Sequence, residues 1–278
     1  VGVAWEVRRF VELASTQTWL VDQARRGAPH ALVAIAEVQH AGRGRMDRRF
    51  EADPGAAVLL SVLVRPAVLV GEAPVEEQVA LAGALAPALS LAALGACRDV
   101  LGRKAAGDLG LAWPNDLVAP VGKLGGVLAE AGGLGRQDAW VVAGVGVNVR
   151  PSSSWGPDVR ARATSLVELG WPAEEADPGL VEARVLDHLG RLLAATASAK
   201  GRARLADLAR SYSSTLGARV GVRHFDGTVT EGVAVGLDDS FRLVVEVEDG
   251  CRMALAEGDV ERLEPLGLRG SSGFVDDC

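Results

Sequence analysis

Gly110-Leu111-Ala112-Trp113-Pro114-Asn115-Asp116, followed by Gly122-Lys123-Leu124-Gly125-Gly126-Val127-Leu128-Ala129-Glu130, sets the pattern of this chain: strand, proline stop, turn, strand. Gly110 to Trp113 reads as a strand that ends because Pro114 cannot donate to a ladder. Leu124 to Glu130 reads as the next strand, and Trp140 to Val149 as a further one, holding Gly144-Val145-Gly146-Val147-Asn148. Glycines inside a strand remove side chains where a ligand or a second backbone lies close, although packing in a crowded sheet explains either one alone. Lys123 is one of three lysines, with Lys104 and Lys200, among 29 basic residues. A compact, mobile ammonium beside two glycines, in a chain that otherwise uses arginine, points to a ligand contact; the alternative is a solvated turn lysine.

Outward from this region, Glu6 to Leu13 reads as a strand, and Ser15 or Thr16 offers a cap oxygen for a helix running to Arg26. Ala31 to Val38 and Ala57 to Val64 are apolar runs suited to sheet strands. Gln78 to Cys97 carries no charge over a length that could span a bilayer, but its Ala, Leu and Gly content with Pro87 and Ser90 favours a buried or kinked helix under a sheet. Glu174 to Ala197 and Arg202 to Ser213 read as helices. From Leu216 the pattern shifts to short strands, Arg219 to Arg223, Thr228 to Gly236, Arg242 to Val247 and Arg252 to Ala256. That spacing predicts a small all-β unit resting on the larger one. The expected division is 1–214, 215–266 and a flexible Gly/Ser-rich tail at 267–278.

The 278 residues are 49% hydrophobic, enough for a sizeable core, and the net charge of -7 argues against a dedicated nucleic-acid binder. Cys97, Cys251 and Cys278 form no CxxC pair, which fits a reducing cytoplasm. His30, His40, His188 and His224 are scattered, so no protein-built metal site is expected. The charged N-terminus carries no secretory signal. Against this acidic average, Arg43, Arg45, Arg48 and Arg49 fall within seven positions, with Gly42 and Gly44 alternating with the first two. The backbone can bend around an anion there while guanidinium forks close over it, which suits phosphate or carboxylate; a solvated basic loop is the plain alternative.

In order along the chain stand Ser15-Thr16-Gln17, Gln39-His40-Ala41-Gly42-Arg43-Gly44-Arg45 with Arg48, Trp113-Pro114-Asn115-Asp116, Lys123-Leu124-Gly125-Gly126, Gly144-Val145-Gly146-Val147-Asn148 and Ala163-Thr164-Ser165-Leu166. This succession resembles a biotin protein ligase of the single-function type, from about residue 5 to residue 265. The resemblance implies an α+β fold: a mixed-sheet catalytic domain with flanking helices, as in class II synthetases, plus a C-terminal Src-homology-3-like β-barrel. It implies an ATP-dependent ligase that makes biotinyl-AMP and passes biotin to a lysine of a biotin carboxyl carrier domain, with Mg²⁺ held through phosphate oxygens.

The matched motifs imply residue roles. Ser15, Thr16 and Gln39 would hydrogen-bond the ureido ring of biotin, and Gly42, Gly125 and Gly126 would lie along the bound molecule. Arg43 and Lys123 would hold the carboxylate and α-phosphate. Arg45 and Arg48 would hold the adenylate or pyrophosphate, with Phe50, Asn115, Gly144, Gly146 and Asn148 around the nucleotide. Asp116 would orient Lys123 or the carrier lysine, or assist Mg²⁺; the sequence leaves these three open.

Four positions depart from the family: Ala112 replaces a lysine, Gln17 an asparagine, Phe50 a tryptophan, and Ser240-Phe241 a glycine turn. Fourteen residues precede Ser15, too few for the winged helix of bifunctional members, so no DNA partner is expected. No membrane partner is expected either, and a homodimer is left open. A non-catalytic biotin or adenylate sensor and a lipoyl or octanoyl transferase are the rival readings on the same fold. The arginine loop and the lack of a cysteine in the motifs speak against the transferase.

Overall fold

The computed structural model describes residues 3–45, 48–71, 73–256 and 258–263, with backbone alone at 103–105. The tail expected at 267–278 lies outside the described residues. Strand β1 (Glu6–Leu13) leads into α1 (Thr16–Arg25), which Ser15 caps: its backbone is extended and its hydroxyl accepts the Thr18 N–H at 3.4 Å. β2 (Leu32–Gln39) and β3 (Ala57–Val64) follow, β3 buried along its whole length, as its unbroken apolar run requires. Then come α2 (Pro66–Val70), α3 (Val75–Ala106), β4 (Gly110–Ala112), β5 (Asp116–Ala119), β6 (Gly122–Gly132) and β7 (Trp140–Asn148). These strands make a seven-stranded sheet in the order β1-β2-β3-β7-β6-β5-β4. β1 runs parallel to β2 and every other pair is antiparallel, so the sheet is mixed and the fold α+β.

The two faces of this sheet have different cover. Val58, Leu60, Val62 and Val64 of β3, with Val141, Ala143, Val145 and Val147 of β7, pack into the main core under α3 and α5 (Pro178–Thr196). On the other face Leu63, Val142, Leu32 and Ala34 meet Leu20, Val21 and Ala24 of α1. Because α1 is only ten residues long, it covers one end of that face and leaves the rest open.

Helix α3 is long and apolar enough to cross a membrane by length and composition alone. In this fold Leu81, Leu85, Ala88, Leu89, Ala92, Ala93, Ala96 and Cys97 are buried in the main core, which makes it a core helix. The helix breaks at Gly102, whose φ of 69° leaves the helical region, beyond the uncharged 78–97 run.

After the single-turn α4 (Pro157–Arg160), α5 and α6 (Ala199–Ser211), the chain forms β8 (Arg219–Arg223), β9 (Val229–Leu237), β10 (Leu243–Glu246), β11 (Arg252–Leu255) and β12 (Asp259–Arg262). They make an antiparallel sheet in the order β11-β10-β9-β8-β12. This corrects the expected closed barrel: β11 and β12 stand at opposite edges, with no ladder joining them among the described residues. The sheet is seated on the larger unit because Trp113 and Ala209 share its core with Val220, Val222, Ala234, Leu243 and Val245. Trp113 is pinned there by its indole N–H to the Phe241 carbonyl at 3.0 Å and by its amide to Thr215 Oγ1 at 2.9 Å.

Candidate active site

The face that α1 leaves open is floored largely by glycine. Strand pairing sets Leu59 beside Gly146, Ser61 beside Gly144, Gly126 beside Gly146 and Leu128 beside Gly144. With three glycines among these positions the floor sinks into a trough. Any side chain would fill it: a Cβ on Gly144 would stand 2.7 Å from Ser61 Oγ and 2.8 Å from Gln17 Oε1. A Cβ on Gly146 would stand 2.7 Å from the Phe50 ring, so Phe50 closes the trough over that glycine.

One end of the trough is polar and built from α1, β2, β3 and β6. Thr16 donates its amide to Gln39 Oε1 at 2.7 Å, and its hydroxyl shares a 2.9 Å hydrogen bond with Ser61 Oγ. Gln17, buried at the start of α1, donates Nε2 to Glu130 Oε1 at 3.1 Å and to the Val142 carbonyl at 3.2 Å. Arg43 donates Nη1 to the same Glu130 oxygen at 2.7 Å. These side chains form a connected network whose buried members all have partners, which rigidifies a polar pocket wall.

The other end is set by a β-bulge. β5 opposes β6 in the register Asp116–Gly126 and Leu117–Gly125, then shifts so that Val118 faces Lys123. The extra residue, Leu124, is buried in the main core, and Lys123 thereby turns to the same face as Gly126. Lys123 Nζ donates to Asp116 Oδ1 at 2.6 Å, beside the open Cα of Gly126. Its main chain is held by a 2.7 Å bond to the Arg162 carbonyl and a 2.9 Å bond from the Thr164 amide.

The arginine loop closes on itself. Gly44 N–H reaches the Arg48 carbonyl at 2.7 Å, Phe50 N–H reaches Gly42 O at 3.1 Å, and Arg43 bridges Arg49. Gly42 is required here, since a Cβ would run into the Phe50 carbonyl oxygen. Arg45 donates to Asn115 Oδ1 at 3.5 Å and to the Gly258 carbonyl at 3.3 Å, and Arg48 pairs with Asp259. Asn115 is itself tied to β6 through its main-chain carbonyl, which accepts the Val127 N–H at 2.9 Å.

The structure therefore gathers Thr16, Gln39, Gly42, Arg43, Gly126, Gly144, Gly146 and Phe50 around one trough, with Lys123 and Asp116 at one end. Two expected residues make other contacts, and a third keeps the cap its type suggested. Gly125 does not line the trough; its missing Cβ makes room for the β7 backbone at Gly146 and Val147. Asn148 is buried and donates Nδ2 to the Thr164 carbonyl at 2.9 Å, anchoring the 163–166 segment. Ser15 is buried and spends its hydroxyl on the α1 cap. Among the described residues no group of three metal-ligating side chains gathers anywhere.

Residues 10–148 match the model of the biotin/lipoate A/B protein ligase family. The biotin--[acetyl-CoA-carboxylase] ligase of Mycobacterium tuberculosis is 36% identical over 264 residues, which span 94% of this chain and 91% of that protein. The chain belongs to this ligase family. A second member, the bifunctional ligase/repressor BirA of Bacillus subtilis, is 28% identical over 90% of this chain and 71% of its own length. The fold agrees as well: the biotin protein ligase from Aquifex aeolicus in complex with biotin and ATP superposes with a TM-score of 0.72. That match covers 92% of this chain and 99% of the other at 21% identity.

Within this ligase fold, sequence reasoning singled out Gln17 only as a departure from the family and overlooked Ser61, Glu130, Gly258 and Asp259. Glu130 had a local signal, since it lies four residues beyond Gly126 and strand alternation sets both on one face. Ser61 was legible too, as the lone hydroxyl in an otherwise apolar strand. Gly258 and Asp259 had none, because their contacts cross more than two hundred residues of chain.

Proposed function

We propose that this chain is an ATP-dependent ligase that activates biotin as biotinyl-5′-AMP and transfers it to a lysine of a biotin carboxyl carrier domain. The observation that carries this is the glycine-floored trough, walled at one end by the hydrogen-bonding side chains of Thr16, Gln39 and Gln17 and carrying the Lys123 ammonium at the other, in a member of the ligase family. A neutral head group rich in N–H and C=O suits the Thr16–Gln39 end, where its buried amides find partners. An acid's carboxylate then points toward Lys123.

From Gly126 to Glu130 the floor runs for about 13 Å at roughly 3.3 Å per residue, room for a ring system and a short acyl chain. In the first step a carboxylate oxygen bonds to the α-phosphorus of ATP and the bond to pyrophosphate breaks. In the second, the carrier lysine nitrogen attacks the acyl carbon and AMP leaves with the bonding electrons. The difficulty of the first step is bringing two anions together. One unit charge about 4 Å from another is worth roughly 4 kcal/mol at an effective dielectric near 20.

Lys123, Arg43, Arg45 and Arg48 supply fixed positive charge at this site, and such preorganised cations are the main catalytic lever for phosphoryl chemistry. Asp116 holds Lys123 Nζ in place through the 2.6 Å ion pair, which favours the orienting role for it. Mg²⁺, when bound, would offset phosphate charge, and Asp116 is the carboxylate beside Lys123 that could assist it. Phe50 would close over the adenylate. We take 1–214 as the catalytic unit and 215–266 as a small unit of Src-homology-3 ancestry. We place the enzyme in the cytoplasm, with the carrier domain as its macromolecular partner. The net charge of -7 disfavours DNA as a partner, and a homodimer stays compatible with the reading.

Mg²⁺-dependent ATP–pyrophosphate exchange with biotin, lipoate, octanoate or no acid tests the reading. Exchange with biotin alone is expected. Exchange with lipoate or octanoate instead moves the substrate assignment, and no exchange despite biotin binding in calorimetry points to a sensor.

A further inference from the structure

We propose that Glu130 is a positioning residue of this site: its carboxylate holds the Arg43 guanidinium and fixes which way the Gln17 amide faces. Glu130 Oε1 accepts from both Arg43 Nη1, at 2.7 Å, and Gln17 Nε2, at 3.1 Å. The second proton of Gln17 Nε2 goes to the Val142 carbonyl at 3.2 Å. Two acceptors on one side of a buried amide leave it a single favourable orientation, because the flipped form would set its oxygen against a carboxylate and a carbonyl. Gln17 Oε1 therefore faces the trough above Gly144, where, among the described residues, its donor is Ser61 Oγ at a long 3.4 Å. An amide oxygen with spare acceptor capacity at that position takes an N–H of the bound acid's head group. That assignment rests on the reading of the site given above.

The charge on Glu130 has a second consequence. It draws Arg43, and with it the start of the arginine loop, down to the polar end of the trough. Removing the charge relaxes three things together: the loop, the amide and the polarity of the pocket. A glutamate that merely stabilised the strand end would control none of them. Its side chain is partly exposed, and its pairing with Val142 is the third from the end of the β6–β7 ladder.

The test uses Glu130→Gln in the full chain, a change that keeps shape and removes charge. Pyrophosphate exchange is expected to show KM for biotin raised about tenfold, as loss of a ground-state contact to that substrate requires. Glu130→Asp, which keeps the charge on a shorter arm, is expected to recover part of the loss. In parallel, without substrates, an arginine-specific protease is expected to cut the 43–49 segment at least about threefold faster in Glu130→Gln, at a thermal midpoint close to that of the parent, since opening of the loop sets the cleavage rate. Unchanged loop cleavage overturns the inference, and so does a KM for biotin within about twofold of the parent. If the parent itself shows no biotin-dependent exchange, the functional reading fails, and the cleavage comparison still decides whether Glu130 holds the loop.

Discussion

At the scale of single residues, a bulge separates a ligand contact from a core intrusion. Without the bulge, strand alternation would bury Lys123 and present Leu124 to the trough; with it, the ammonium reaches Asp116 beside Gly126. Lys123→Ala is expected to lower the adenylation rate by about a thousandfold or more, since it removes a fixed cation from the reacting charges. Its side chain is 44% exposed, so the fold should survive with little change in thermal midpoint. Single-turnover formation of the adenylate checks this, and near-normal turnover would take Lys123 out of the mechanism. Arg65 is the opposite kind of residue. It is buried, and its guanidinium donates to the carbonyls of Ala24, Ala28 and Asp138 at 2.7 to 3.0 Å, closing the end of α1 onto β3. Arg65→Ala is expected to cost about 2–4 kcal/mol in denaturant unfolding by stranding those carbonyls, with KM values unmoved. Lys123 was legible in the sequence because lysine is rare here. Arg65 was one arginine among many, and nothing local marks the carbonyls it gathers.

At the scale of elements, most strands and helices announce themselves by apolar runs, cap residues and glycine turns. Ala57–Val64 and Arg219–Arg223 have the boundaries their patterns dictate, and Ser15 caps α1 as its residue type suggests. The four-residue β5 and β12 escaped because so few residues show no period, and the bulge escaped because it depends on which partner strand lies alongside. The uncharged segment resolves by packing: α3 is apolar because the sheet covers one side and α5 another. Its Cys97 is wholly buried, and burial pushes the thiol pKa up to about 12. A thiol reagent at pH 8 is therefore expected to modify Cys251 at once and Cys97 only when the helix comes away from the core. Labelling of Cys97 should track global unfolding as denaturant rises. Fast labelling under native conditions would mean that α3 opens independently.

At the scale of the whole molecule, the small sheet is part of the site. Trp113 is pinned to the Phe241 carbonyl, and the arginine loop reaches the Gly258 carbonyl and Asp259, so both flanks of the trough lean on residues beyond 237. None of this was visible in sequence, because it joins residues far apart in the chain. Several carboxylates share one trend with pH. Turn amides and hydroxyls hold Asp53, Asp226 and Asp249 below the ordinary carboxylate value of 3.8. A group that binds its proton less readily when folded adds stability above its unfolded pKa and loses it as pH falls through its folded pKa. The thermal midpoint is thus expected to be flat near neutrality and to drop below about pH 4. The sharper prediction concerns Asp259. Its pairing with Arg48 is an exposed contact worth about 0–1 kcal/mol, while the loop is already closed by its own backbone bonds and by Arg45 on Gly258. Removing the carboxylate therefore sacrifices little order, and it frees a cation for which incoming phosphates must otherwise compete. Asp259→Asn is expected to lower KM for ATP about two- to fivefold at low salt, and the difference should shrink toward 0.5 M salt, where the Debye length falls to about 4 Å. A rise in KM instead would mean that Asp259 orders Arg48 for the nucleotide, and that preorganisation outweighs the charge it withholds.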